Sequence, residues 1–143
     1  MLTIILAGIG YAVYSDPDFK RQQIFIYTLK SFAKQLKPLE SQYKLKQVML
    51  PQRTSFTVSY TDAEGQQKID MMMQVEAKLV RLSYPKEGDL DGETIVLEPV
   101  IKQQKVLWKC LNGSLLTRYR IKDCRLGYAV DLHQIEAKLL PNF

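Results

Sequence analysis

Few residues in this 143-residue chain have the types and spacing that chemistry requires. His133 is the only histidine, which excludes metal sites built on several histidines. Cys110 and Cys124 stand fourteen positions apart, far from the two-residue spacing of a thioredoxin-type redox pair. Without a second histidine they do not complete a structural zinc site of the usual composition. Met71, Met72 and Met73 could suggest soft-metal ligation, but a methionine run in a strand reads as core packing. Glu87, Asp89, Asp91 and Glu93 could hold calcium, yet they lack EF-hand spacing and read as a solvated acidic turn. No phosphate-cradling glycine loop and no serine in a G-x-S-x-G elbow occurs. The chain reads as a non-enzyme with neither cofactor nor metal.

The cysteines bracket a strongly basic segment, WKCLNGSLLTRYRIKDCR, residues 108–125, which also holds the only tryptophan. If oxidised, a pair closing a loop of this length stabilises by about 3 kcal/mol on the chain-entropy model. Oxidation requires an extracytoplasmic setting, and the alternative is two reduced cysteines in a cytosolic core. Lys109, Arg118, Arg120, Lys122 and Arg125 form a candidate basic binding loop, with Tyr119 available for stacking. Its partner would be DNA phosphates or an acidic face of another subunit, such as Glu87, Asp89, Asp91 and Glu93; the bland reading is a solvated loop.

The elements that must position these residues follow from periodicity. SDPDFKRQQ is a helix start, with Ser15 or Asp16 capping, Pro17 at the first helical position and Asp18 at the positive end of the dipole. Phe25, Leu29, Phe32, Ala33 and Leu36 then recur at three- and four-residue steps, and Pro38 ends or kinks the helix. From residue 54 the period becomes two: Phe56, Val58 and Tyr60 mark a half-buried strand. AEGQQ is a turn, IDMMMQVEAKLVRLSY one long strand, PKEGDLDG a loop, and TIVLEP and KVLWKC two further strands. DLHQIEAKLLPNF is a short amphipathic helix or tail strand. One N-terminal helix followed by a strand meander is an α+β arrangement.

Charge is segregated. Residues 20–61 carry eight Lys/Arg against Glu40 alone, residues 62–98 nine acids against four bases, and residues 99–143 eight bases against three acids. Ahead of them MLTIILAGIGYAVY has no charge. At about 1.5 Å per residue it reaches roughly 21 Å as a helix, short of the ~30 Å hydrocarbon core. A signal peptide and a soluble core helix compete with a third reading, the tail end of a membrane-seated helix. Gly8 and Gly10, with Tyr11 and Tyr14 placed as an interfacial belt, favour the third. The chain divides into that apolar anchor, 1–14, and a globular domain, 15–143.

GDLDGETIVLEPVIKQQKVLWKCLNGSLLTRYRIKDCR resembles the C-terminal half of a type IV pilin. In that family a G-x-x-(I/L)-x-L-x-P strand leads to a second strand ending W-x-C, and a loop with an aromatic-containing basic stretch runs to a closing cysteine. Gly92, Leu97, Pro99, Trp108, Cys110, Tyr119, Cys124 and Arg125 fall on that pattern. The resemblance implies a ladle: a long N-terminal helix, its first half in the membrane or filament core, its second packed on an antiparallel sheet. It also implies a Cys110–Cys124 disulfide closing the C-terminal loop. The stripe Phe25, Leu29, Phe32 and Leu36 would meet Phe56, Val58 and Ile95 across the sheet, on the helix through which subunits pack. The implied function is a structural subunit of a pilus-like filament, serving adhesion, motility or DNA uptake. Its partners would be other pilin subunits and the bacterial inner membrane, with an extracytoplasmic or extracellular body. The family's basic leader and early glutamate are unmatched, since no acidic residue precedes Asp16. That departure supports the alternative, a non-polymerising pilin-fold module that regulates or caps assembly; a DNA-binding minor pilin is a third reading.

Overall fold

The computed structural model describes residues 17–86, 88, 90–111, 113–115, 119–120 and 122–135. The apolar segment 1–14, Glu87, Asp89, Arg118, Ile121 and the tail beyond Ile135 lie outside the described residues.

Helix α1 spans Pro17–Ala33, with Asp18 in its first turn and Lys30 in its last, each at the dipole end that favours its charge. Ile24, Phe25, Ile26, Leu29 and Phe32 are all essentially inaccessible, so the helix buries a broad face rather than a narrow stripe. Thr28, buried among them, donates to the Ile24 carbonyl at 2.7 Å and meets the Tyr84 hydroxyl at 2.7 Å. The helix stops short of Pro38. A proline has no N–H for the carbonyl four residues back, and its ring crowds that carbonyl, here Lys34. The chain therefore turns at Lys34 and Gln35 and restarts as α2, Leu36–Lys46, where Pro38 occupies the first turn and no intrahelical N–H is needed. Gln47 closes α2 in the left-handed region, φ 55°, its N–H on the Tyr43 carbonyl.

Six antiparallel strands follow in sequence order: β1 Gln52–Asp62, β2 Gly65–Val75, β3 Val80–Ser83, β4 Thr94–Lys102, β5 Lys105–Leu111 and β6 Ala129–Val130. Each pairs with the next, so the sheet is a meander of short-range connections. The inward set alternates as a half-buried sheet must: Phe56, Val58 and Tyr60 on β1, Met71, Met73 and Val75 on β2, Ile95 and Leu97 on β4, Val106 and Trp108 on β5. The single long strand expected over 69–84 is two strands. Glu76 N–H bonds the Leu79 carbonyl at 2.8 Å, and that turn lets Val75 pair with Val80 and Met73 with Leu82. Folding back sets two apolar rows side by side on the inward face, which one straight strand would not.

The helices cover that face. Phe32 lies edge-on to Trp108, ring centroids 5.8 Å apart at 73°, and 6.3 Å from Phe56. Burying an aromatic of this kind stabilises by about 1.5–3 kcal/mol, so this junction of α1, β1 and β5 is a principal anchor.

The expected fold class, a ladle with one long N-terminal helix laid along its sheet, is overturned. Among the described residues the helical part is a 17-residue helix and an 11-residue helix separated by a turn, ahead of a six-stranded antiparallel sheet. The physical reason is Pro38, which forbids one continuous rod through residues 34–38. Among the described residues no helix is long and apolar enough to cross a membrane.

Candidate functional site

Cys110, late in β5, is disulfide-bonded to Cys124 in a four-residue helix, α3 (Lys122–Arg125), with Cα atoms 5.1 Å apart. The staple brings the chain back beside β5, where Lys109 pairs with Ala129 and Trp108 with Val130 in β6. Alternation along β5 sends Trp108 inward and leaves Lys109 exposed.

The segment between the cysteines is tied down at its start. Gly113 passes so close to β4 that a Cβ there would stand 2.5 Å from the Thr94 carbonyl oxygen, which only glycine avoids. Thr94 and Ser114 exchange hydrogen bonds, Thr94 N–H to Ser114 Oγ at 2.8 Å and Ser114 N–H to Thr94 Oγ1 at 3.0 Å. Leu115 N–H adds a bond to the Thr94 carbonyl at 3.0 Å.

Arg120 is part of this scaffold. Only 8% exposed, it donates from Nη1 to the Leu111 carbonyl at 3.3 Å and from Nη2 to the Gly113 and Leu115 carbonyls at 3.4 and 2.6 Å. Burial pulls its guanidinium below the usual arginine range. Tyr119 is 4% exposed; its hydroxyl accepts from Arg21 Nη1 at 3.2 Å, and the Arg21 guanidinium lies 5.5 Å from its ring centroid. Two members of the expected basic loop therefore face inward: Arg120 supplies donors to the carbonyls of Leu111, Gly113 and Leu115, and Tyr119 meets Arg21. Lys122 is exposed, Lys109 likewise, and Arg125 is half-buried.

Around those cations sit two residues that sequence reasoning missed. Leu126 is 55% and Tyr128 60% exposed, held by Leu126 N–H on the Lys122 carbonyl at 3.0 Å and Tyr128 N–H on the Asp123 carbonyl at 2.9 Å. Gly127 between them has φ 78°, the left-handed geometry that ends α3. An aromatic and an aliphatic side chain projecting beside Lys109 and Lys122 have the composition of a protein contact rather than of a solvated loop. The only sequence signal was an L-G-Y triplet just past the closing cysteine, where glycine forces a turn.

Phe25, Leu29, Phe32 and Leu36, expected on the helix that packs subunits, are each 0% exposed. They hold this chain's own core and present nothing to a neighbour.

The sole histidine also finds a place. Trp108 Nε1–H donates to Glu40 Oε2 at 3.0 Å, and Glu40 Oε1 lies 2.6 Å from His133 Nε2. Beside them Lys105 pairs with Asp131 at 2.9 Å, and Asp131 also accepts from the His133 N–H at 3.0 Å. Burial alone would raise the Asp131 carboxyl, but the Lys105 and His133 hydrogen bonds and charges together hold it below the usual carboxylate range. The group fastens α2, β5 and the turn at Leu132–Gln134 to one another. Among the described residues no cluster of three or more His, Cys, Asp or Glu is placed to hold a metal.

No family model, no curated protein and no solved structure matches the chain.

Proposed function

We propose that this chain is a structural subunit that works by assembling with other protein subunits outside the reducing interior of the cell, in the manner of a pilin or minor pilin. The Cys110–Cys124 disulfide carries the reading. A bond of that kind persists in oxidising compartments, and here it shapes a surface instead of serving redox chemistry. The surface beside it offers Leu126 and Tyr128 flanked by Lys109 and Lys122, which suits an acidic, partly apolar protein face.

One observation favours a module that docks on an assembly without polymerising. Phe25, Leu29, Phe32 and Leu36 are wholly buried under this chain's own sheet, and the disulfide-side surface with Leu126 and Tyr128 is available as a contact. DNA contact is the weaker reading, since Arg120 and Tyr119 are turned inward and Asp123 stands exposed among the remaining cations.

The test is thiol labelling of the chain in its own cells, followed by fractionation of sheared surface material. The expected result is no reactive thiol before reduction and recovery with high-molecular-mass protein assemblies. L126S/Y128S should reduce that recovery severalfold while leaving the fold intact. Two reactive thiols in freshly isolated protein, or recovery only as free monomer, would refute the proposal.

A further inference from the structure

Among the described residues β1 is an edge strand. It is eleven residues long, pairs there only with β2, and does so in unbroken register from Gln52↔Val75 to Asp62↔Gly65, without a bulge. Among the described residues no strand and no backbone hydrogen bond lies on its other side. In an antiparallel ladder every second residue turns its N–H and C=O away from its partner, so half of the backbone groups of β1 face outward along that edge. Edges of this length are ordinarily blunted by lysine, proline, a bulge or brevity. The opposite edge, β6, is two residues long. Between Gln52 and Asp62 there is neither lysine nor proline, and the exposed side chains are Arg53, Thr54, Ser55, Thr57, Ser59 and Thr61.

We infer that this edge is a strand-pairing site, and that its occupant is β1 of a second copy of this chain, running antiparallel across a two-fold axis at Thr57. Thr57 is the midpoint of β1, so this register uses all eleven residues. It sets Thr57 against Thr57 and Ser55 against Ser59, hydroxyl side chains that pair well across strands, and Arg53 against Thr61, with no like charges opposed. The ends are complementary too. Residues 41–61 contain no acid, and exposed Arg53 stands near the start of β1, whereas its far end carries Asp62, bridged to Lys20 at 3.7 Å, and exposed Glu64. Antiparallel pairing lays the basic end of one copy beside the acidic end of the other. The inward residues Phe56, Val58 and Tyr60 stay under α1, so the pairing extends the sheet without disturbing the core. It requires only the open edge, and therefore stands or falls separately from the pilin-like role.

Directly opposed residues on paired antiparallel strands have Cα atoms about 4.5–5.5 Å apart, within the range of about 4.4–6.8 Å that a disulfide spans. Purified full chain carrying T57C should therefore form a covalent dimer under mild oxidant, whereas T61C, whose opposite is Arg53, should not. By sedimentation the unaltered chain should dimerise, and S55K/S59K, which opposes lysine to lysine twice, should weaken dimerisation about tenfold. Mixing it with S55E/S59E should restore pairing as a heterodimer, which also certifies that both variants are folded. A T57C chain that stays monomeric under oxidation, T57C and T61C linking equally, or a dimer indifferent to S55K/S59K would each overturn the inference.

Discussion

Arg120→Met separates a scaffolding arginine from a binding one. Methionine keeps most of the aliphatic stem, so packing changes little and the guanidinium's hydrogen bonds are what is lost. One of these, to the Leu115 carbonyl at 2.6 Å, is short and charge-assisted and should contribute about 1.5–3 kcal/mol. The bonds to Leu111 and Gly113, at 3.3 and 3.4 Å, are long and add a fraction each. Against this, the substitution relieves the desolvation that lowers the guanidinium's proton affinity. A net loss of about 2–3 kcal/mol is expected, because three loop carbonyls are left without their donor. With a urea slope of about 1–3 kcal/mol per molar, the unfolding midpoint should fall by about 1–2 M. Lys122→Gln, on an exposed residue of the same segment, is the control and should stay within about 0.5 kcal/mol. Urea unfolding followed by Trp108 fluorescence, with the disulfide intact, reads both. If R120M matches K122Q, the arginine faces solvent and does not hold the loop.

Two predictions concern pH. Burial pushes the Tyr84 phenol above its ordinary value, against the lowering effect of its bond to Thr28, so its folded value exceeds the unfolded one. Its contribution is therefore complete below about pH 10 and lost as pH rises beyond it; Y84F should lose about 1 kcal/mol near neutrality and show a shallower alkaline decline in thermal melts. Asp131 has the opposite sign: its folded value is depressed, so its contribution is present above about pH 4 and lost as pH falls through the folded value. D131N should flatten the acid limb of a stability–pH curve, and an unchanged limb would show that the Lys105 pair carries no linkage.

Much of the secondary structure was legible because it depends on neighbours in the chain. The switch of period near residue 54, the proline at 38 and the glycine-bearing turn at 63–65 are local signals, and they placed the start of α1 and both ends of β1 within a few residues, while the single strand expected over 69–84 divides into β2 and β3. What they did not show was where α1 stops. Pro38 disfavours helix at the residues before it and permits helix after it, so the same residue ends one helix and sits comfortably in the next. VEAKLV had helical composition and strand neighbours; only the pairing of Val75 with Val80 decided for a turn.

The candidate site was legible as composition and not as direction. Cysteine spacing, the tryptophan and the concentration of arginine and lysine were all in the sequence, and they marked residues 108–125 as the segment of interest. Which cations face outward was settled elsewhere: Arg120 turns inward because the carbonyls of Leu111, Gly113 and Leu115 converge on it, and Tyr119 because Arg21, ninety-eight residues earlier, lies over its ring. Glu40 and His133, ninety-three positions apart, become neighbours through Trp108 and the turn at Leu132. Sequence alone determined the repertoire: which segments alternate, where backbone donors are missing, which side chains carry charge. Tertiary structure decided which of those charges answer the chain's own carbonyls and which reach solvent, because a buried polar group must be paired and its partner comes from wherever the fold brings the chain.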